Sequence, residues 1–362
     1  MLGVYIHIPF CKQICSYCDF CKIYYHTGYV SKYLDSLEKE IKARYQFEEI
    51  DSIYIGGGTP SCLNNEELKR LFDIIKIFKL KDNYEFTIEC NVDSITPQKL
   101  QLFKDNGVNR ISIGVESFNS ENLKKLGRNH NEKMINDVIN LTKKYFSNIN
   151  IDLIYGVNDN IEILKKDIDK FLKLDINHIS CYSLILEENT KLYINKEEYI
   201  SEEIDYLMFS YINDTLVEYG YEHYEISNYA KPGYASIHNK NYWLNGNYYG
   251  FGLSAVSYLN NYRISNTKNM HKYLDNLYIN DSEYEDISRR KENDLILGLR
   301  LIEGINYHLF NQKYQDNLLD KEIIKKLINE DKLVVDNNYL KCNYKYIYLL
   351  NELLVEIMGS EL

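Results

Sequence analysis

Val4-Tyr5-Ile6-His7-Ile8-Pro9-Phe10-Cys11, continued by Cys15-Ser16-Tyr17-Cys18-Asp19-Phe20, is the stretch that decides how this chain is read. An apolar, strand-like run (Val4–Ile8) leads directly into Cys11, Cys15 and Cys18, spaced C-x3-C-x2-C. Three thiolates on one short loop can hold three corners of an iron–sulfur cube. A 4Fe–4S cluster ordinarily takes four cysteines. With three, one iron keeps an open position, and an open metal position is where chemistry takes place. The competing reading is a structural zinc knuckle, which needs a second C-x2-C pair or nearby histidines. No such pair follows.

Outward from this loop, apolar strands alternate with helical patterns. Strands are expected at Ser52–Ile55, Glu85–Cys90, Arg110–Val115, Asn150–Tyr155 and His178–Leu184. Between them, helices are expected at Tyr29–Tyr45, Glu66–Phe78, Pro97–Asn106, Ser120–Leu126, Glu132–Tyr145 and Ile161–Leu174. Several of these strands read as the continuous apolar runs of a buried parallel sheet. Six βα repeats imply an α/β fold with a parallel sheet and helices outside it. Such sheets bind ligands at the carboxyl ends of their strands. After about residue 200 the pattern changes. Ile204–Glu218 is helical, and Tyr219 to about Asn266 reads as irregular and rich in Tyr, Asn and Gly. Helices near Lys291–Ile302 and Lys321–Asn329, a Leu333–Lys341 hairpin and a last helix near Tyr346–Met358 suggest a winged-helix-like α+β module.

Composition narrows the function classes. A net charge of −11 disfavours a nucleic-acid partner, which would have to be met by phosphate-neutralising cations. No apolar run is long enough for a membrane span, and no signal peptide is visible. Outside the first loop the cysteines sit singly in apolar contexts, so a reducing, cytoplasmic setting is expected.

The motif Tyr5-x-His7-x-Pro9-Phe10-Cys11-x3-Cys15-x-Tyr17-Cys18 resembles the opening of the radical S-adenosylmethionine (SAM) proteins of the coproporphyrinogen-III-oxidase-like group. Asp19-Phe20, directly after the third cysteine, resembles the haem-chaperone branch. The dehydrogenase branch carries a further cysteine two positions on, whereas Cys21 here lies three positions on. The dehydrogenases also have a longer N-terminal extension. The resemblance implies a partial (β/α)6 barrel at 1–200, an extension at 201–285 and the winged-helix-like domain at 286–362. It makes Cys11, Cys15 and Cys18 the ligands of a 4Fe–4S cluster. It assigns SAM to Tyr5, Tyr17, Gly57, Gly58, Thr59, Glu89, Glu116, Arg128 and Asp152. Of these, the glycines belong to the Gly56-Gly57-Gly58-Thr59-Pro60 loop, and Arg128 to Leu126-Gly127-Arg128-Asn129-His130. Read from the residues alone, the glycine loop is equally an ordinary βα turn, and a barrel-mouth ion pair is the lesser, competing reading of Arg128 and Asp152.

Tyr224-Glu225-Ile226-Ser227-Asn228-Tyr229-Ala230 and His238-Asn239-Lys240-Asn241-Tyr242-Trp243 resemble the YEISN(F/Y)A and HNxxYW signatures of the haem-chaperone branch. Imidazole is a usual haem ligand, and aromatics suit a porphyrin face. That makes His238 the haem-binding candidate, set against the ordinary reading of a lone histidine as structural. The chain departs from the family pattern at several positions, among them Val92, Val157-Asn158 and Leu253-Ser254, and two departures bear on the site. Glu116 stands where Gln is usual, and Val256 where His is usual. The resemblance implies binding of haem and its transfer to acceptor haemoproteins, with an unidentified electron donor and with peripheral association at a membrane left open. The alternatives are a radical SAM enzyme that decarboxylates or otherwise modifies a tetrapyrrole, and a radical SAM methylase. Whether the chain is an enzyme at all is undecided by the residues.

Overall fold

The structure, a computed structural model, describes residues 1–360. The chain opens with β1 (Leu2–Ile8) and two short strands, β2 (Phe10–Cys11) and β3 (Ile23–Tyr24), which pair across the cysteine loop. Then come α1 (Thr27–Arg44), β4 (Glu49–Gly57), α2 (Asn65–Ile75), β5 (Lys79–Asn91), α3 (Pro97–Asp105) and β6 (Arg110–Glu116). The alternation continues through α4 (Ser120–Leu126), α5 (Glu132–Thr142), β7 (Asn148–Tyr155), α6 (Ile161–Leu174) and β8 (His178–Ser183). Local chemistry explains the helix starts. Asn64 and Glu67 form a reciprocal capping box on α2, and Thr96 caps α3 with Pro97 at its first position.

β1, β4, β5, β6, β7 and β8 lie side by side in chain order, all parallel, as expected for six βα units. One expectation is corrected. These strands are not apolar throughout but alternate. In β5, Phe86 and Ile88 pack into the core while Glu85, Thr87 and Glu89 take the other face. In β6, Ile111 and Ile113 alternate with Arg110 and Ser112; in β7, Ile149 and Ile151 alternate with Asn150 and Asp152. The physical reason is that only one wall meets the helices. The other encloses a polar interior.

A second correction concerns the stretch Tyr219–Asn266. After α7 (Lys191–Ile194) and α8 (Glu202–Glu218) it holds β9 (Glu222–Glu225), β10 (Asn228–Ala230), α9 (Ile237–Trp243), β11 (Asn247–Phe251), β12 (Val256–Leu259) and β13 (Tyr262–Asn266). With β14 (Ile279–Tyr284) these make one 12-stranded sheet, ordered β14-β13-β12-β11-β1-β4-β5-β6-β7-β8-β10-β9. The segment therefore extends the sheet on both sides, and β14 forms the edge next to β13. β10 runs antiparallel to β8, and β11 runs parallel to β1. Beyond it, β15 (Ile305–Asn306), β16 (Leu333–Asp336) and β17 (Tyr339–Cys342) form a small separate sheet among the C-terminal helices. The β16–β17 turn uses Asn337 and Asn338, both at positive φ (47° and 72°), as a two-residue hairpin loop requires.

Candidate functional site

The carboxyl ends of the parallel strands surround a cavity of about 470 Å³. Cys11, Cys15, Cys18, Tyr17, Gly57, Gly58, Thr59, Glu89, Glu116, Arg128 and Asp152 all line it. Among the described residues, no three His, Cys, Asp or Glu side chains close on a point as a single metal ion requires.

Several unrelated segments hold the cysteine loop in place. Ile23 N donates to Pro9 O (2.7 Å) and Tyr25 N to Cys11 O (2.9 Å), closing the loop at its base. His7 bridges from β1, with Nδ1 on the Tyr5 hydroxyl (3.0 Å) and Nε2 on the Cys21 carbonyl (2.7 Å). On the far side, Ser16 N donates to Leu126 O (3.0 Å) and Gln13 Nε2 to Gly127 O (2.5 Å). Gly127 has φ +74°, and a Cβ there would lie 2.8 Å from Ser16 Oγ, so the loop docks only against a glycine. Gly58 makes the other close approach. A Cβ on it would sit 2.8 Å from Phe10 O and 3.0 Å from Cys11 Sγ. Thr59 N donates to Phe10 O (2.8 Å), and its hydroxyl lies 3.6 Å from Cys11 Sγ.

Burial pushes the Cys11 thiol up to about 11 and also raises Cys15 and Cys18, while Arg128 pulls all three back down. The same arginine ties the mouth together. It donates to Asn91 Oδ1 (2.8 Å), to the Tyr17 hydroxyl (2.7 Å) and to Glu116. Glu116 sits at a β-bulge with φ +65°, an uncommon backbone state for a residue with a side chain. A carboxylate in place of the usual amide thus serves as the acceptor for Arg128. Glu89 accepts from the Tyr54 hydroxyl (2.8 Å) and Gly57 N (3.1 Å), and burial pushes its carboxyl up to about 7. Asp152 accepts from Asn150 Nδ2 (2.9 Å) and Ser112 Oγ (3.3 Å) and is likewise raised by burial.

Two sequence candidates stand outside the cavity wall. Tyr5 lies behind it, stacked on Tyr54 at 6.3 Å. His238 lies deeper still. α9 closes the barrel from below, with its first amides and the Ser236 hydroxyl held by the Glu85 carboxylate. The His238 ring is 1% exposed and stacks on Tyr54 at 5.2 Å. Its Nδ1 meets Ser52 Oγ (2.9 Å) and its Nε2 the Tyr242 hydroxyl (3.0 Å), so neither nitrogen is free. Burial lowers its pKa to about 3, which leaves the ring neutral. Conversely, Tyr54, Asn91 and Ser112 line the cavity without having been singled out. Their signal was present in the sequence as polar residues at every second position of otherwise apolar strands.

Six parallel strands whose carboxyl ends surround a three-cysteine loop and a glycine loop define the radical SAM class, and residues 5–168 match the model of the Radical SAM superfamily. The superfamily implies a 4Fe–4S cluster and SAM. The chain is 37% identical to the haem chaperone HemW of Lactococcus lactis, over 99% of this chain and 98% of that one. It is 35% identical to HemW of Bacillus subtilis, over 88% of each. Within the superfamily the chain belongs to the HemW family. The solved coproporphyrinogen III oxidase HemN of Escherichia coli superposes with a TM-score of 0.86 at 22% identity, over 98% of this chain and 89% of that one. That likeness establishes the shared fold.

Proposed function

We propose that this protein binds haem and passes it to acceptor haemoproteins, on a radical SAM core that carries a cluster and SAM. The observation that carries the reading is the likeness to haem chaperones over nearly the whole chain. The site geometry supports the cofactor assignments. Cys11, Cys15 and Cys18 line one cavity, where each thiolate would take its own iron of a multi-iron cluster. Gly57, Gly58 and Thr59 form a close backbone cradle against Cys11. Glu89, Asp152 and the Glu116–Arg128 pair supply acceptors and one donor fork for a ligand bearing an ammonium, a carboxylate and a sulfonium. Cluster and SAM together supply one-electron chemistry at the sulfonium. The residues around them bind, orient and shield.

His238 is the proposed haem ligand on its HNxxYW signature. In this fold that role requires α9 to lift from Glu85 and Ser52 so that Nε2 leaves Tyr242. The test is an anaerobic haem titration of the reconstituted protein beside His238→Ala. Saturable binding with a Soret band altered in the variant supports both the chaperone reading and the ligand. Equal binding by both removes His238 as ligand, and no binding by either removes haem. The intact SAM cavity favours one second reading, a radical enzyme acting on a tetrapyrrole. Release of 5′-deoxyadenosine in the presence of such a substrate marks it, and S-adenosylhomocysteine marks a methylase. We further propose 1–200, 201–285 and 286–362 as the functional divisions of the chain. The middle one lends its strands to the barrel sheet.

A further inference from the structure

Five of the eight histidines are buried in this fold. His7, His178, His223 and His238 each have both ring nitrogens hydrogen-bonded inside the protein. His130 places Nε2 on Val115 O (2.9 Å). Freeing any of these rings breaks the bonds it holds, and a ligand that needs a minor open state binds more weakly in proportion to that state's population. Haem meeting the closed chain therefore finds a reachable imidazole only at His26, His271 or His308, the three exposed histidines.

The three differ in what surrounds the ring. His26 follows β3 in extended conformation (φ −149°, ψ 122°) and makes no capping bond to α1. Side chains alternate along extended backbone, so Tyr24 and His26 share one face, while Tyr25 takes the other and donates to Glu67 (2.9 Å). Tyr29 stands edge-on to the His26 ring at 6.0 Å. Tyr24 is 63% exposed and Tyr29 41%. The pairing of Tyr24 with Cys11 and the bond from Tyr25 N to Cys11 O (2.9 Å) fix this patch to the base of the cysteine loop. Along α1 from Tyr29, Lys32 is exposed, and the acid nearest it in sequence, Asp35, is bridged to Arg70 (3.1 Å). An imidazole, two aromatic side chains and a cation match the iron, the flat apolar ring and the propionates of haem. The other exposed histidines lack part of this set. His308 lies against Tyr307 at 4.3 Å, but the lysine of its helix (Tyr307–Tyr314), Lys313, is bridged to Asp294 (2.6 Å). The helix of His271 (Met270–Leu274) offers only Tyr273 as an aromatic, and that ring is buried.

We propose that haem is first captured at the surface by His26, against Tyr24 and Tyr29, with Lys32 taking a propionate. The inference rests on the haem-chaperone reading above. Capture here precedes any ligation by His238, which waits on the lifting of α9. An open site of this kind is also one from which an acceptor protein can take its cargo.

The test is rapid anaerobic mixing of haem with the reconstituted full chain, followed at the Soret band. Wild type is expected to show a fast phase whose rate rises in proportion to haem concentration. His26→Ala slows that phase about tenfold or more, and added free imidazole restores the Soret position. His26 is exposed, so its variant keeps the wild-type melting midpoint. His308→Ala retains the fast phase. His238→Ala retains it too and alters only the slower rise that follows opening of α9. Lys32→Glu slows the fast phase at low salt with haem, but not with the dimethyl ester of haem, which has no free carboxylate. A fast phase unchanged in His26→Ala, or lost in His308→Ala or His238→Ala, overturns the proposal, as does a wild type that binds haem only slowly. An equal Lys32→Glu effect on haem and its ester overturns the propionate contact. Absence of haem binding by wild type overturns the chaperone reading itself.

Discussion

Single residues at the mouth do sharply defined jobs. Gly58 is there because Phe10 O and Cys11 Sγ leave no room for a Cβ. Gly58→Ala is expected to push the cysteine loop outward and lower iron and sulfide content per chain, with little change in the thermal midpoint. Iron analysis beside a melting curve checks this. A second residue-scale prediction concerns Glu225, which is 1% exposed and accepts from Asn228 and from Ser227 N. Burial pushes its carboxyl up to about 7. The unfolded chain releases that proton near pH 4.3, so the folded state holds it alone between about pH 4.3 and 7. Stability from this group is complete below the window and is lost as pH rises through it. Glu225→Gln should remove about 1–3 kcal/mol of that decline, read as the difference between denaturant midpoints at acid and neutral pH. At this scale the sequence was legible wherever spacing carried the meaning, as with the cysteines. It was not legible for Arg110 or His238, because whether a polar atom finds a partner depends on residues from distant strands.

Among the elements, α9 is the one whose role changed most between sequence and structure. Its HNxxYW signature suggests a haem ligand. In the fold it is a plug, and Glu85 from β5 binds its N-terminus through Ser236 Oγ (2.8 Å), Ile237 N (2.9 Å) and His238 N (3.1 Å). A carboxylate at a helix N-terminus satisfies orphan amides and meets the helix dipole. Glu85→Ala is therefore expected to cost about 3 kcal/mol in urea unfolding, because buried amides lose charge-assisted partners. It should also expose Tyr54 and His238 from below. If haem reaches His238, Glu85→Ala accelerates haem binding. Unchanged rates place haem elsewhere. The short strands β9 to β13 escaped the sequence reading for an elementary reason. Strands of three to five residues carry too little periodicity to stand out from the surrounding sequence.

For the whole molecule, the 12-stranded sheet makes the first two chain segments interdependent. β1, which leads into the cysteine loop, is flanked by β4 on one side and by β11 on the other, with Leu2–Ile6 paired to Asn247–Phe251. A fragment ending near residue 200 would leave that edge of β1 unpaired and the barrel without its plug. Such a fragment is expected to lose cooperative melting and to be cut rapidly in limited proteolysis, although it keeps every cavity residue. The sequence alone determined the six βα units and the cysteine loop. Each rests on local spacing or on apolar runs and helical periodicity, which are properties of neighbours along the chain. The tertiary structure decided that residues 222–266 extend the sheet on both sides, that His238 lies beneath the cavity with both nitrogens engaged, and that Arg110 is buried with its Nε unpartnered. These follow from pairings between residues far apart in sequence, whose burial and partners exist only once the sheet has closed around them.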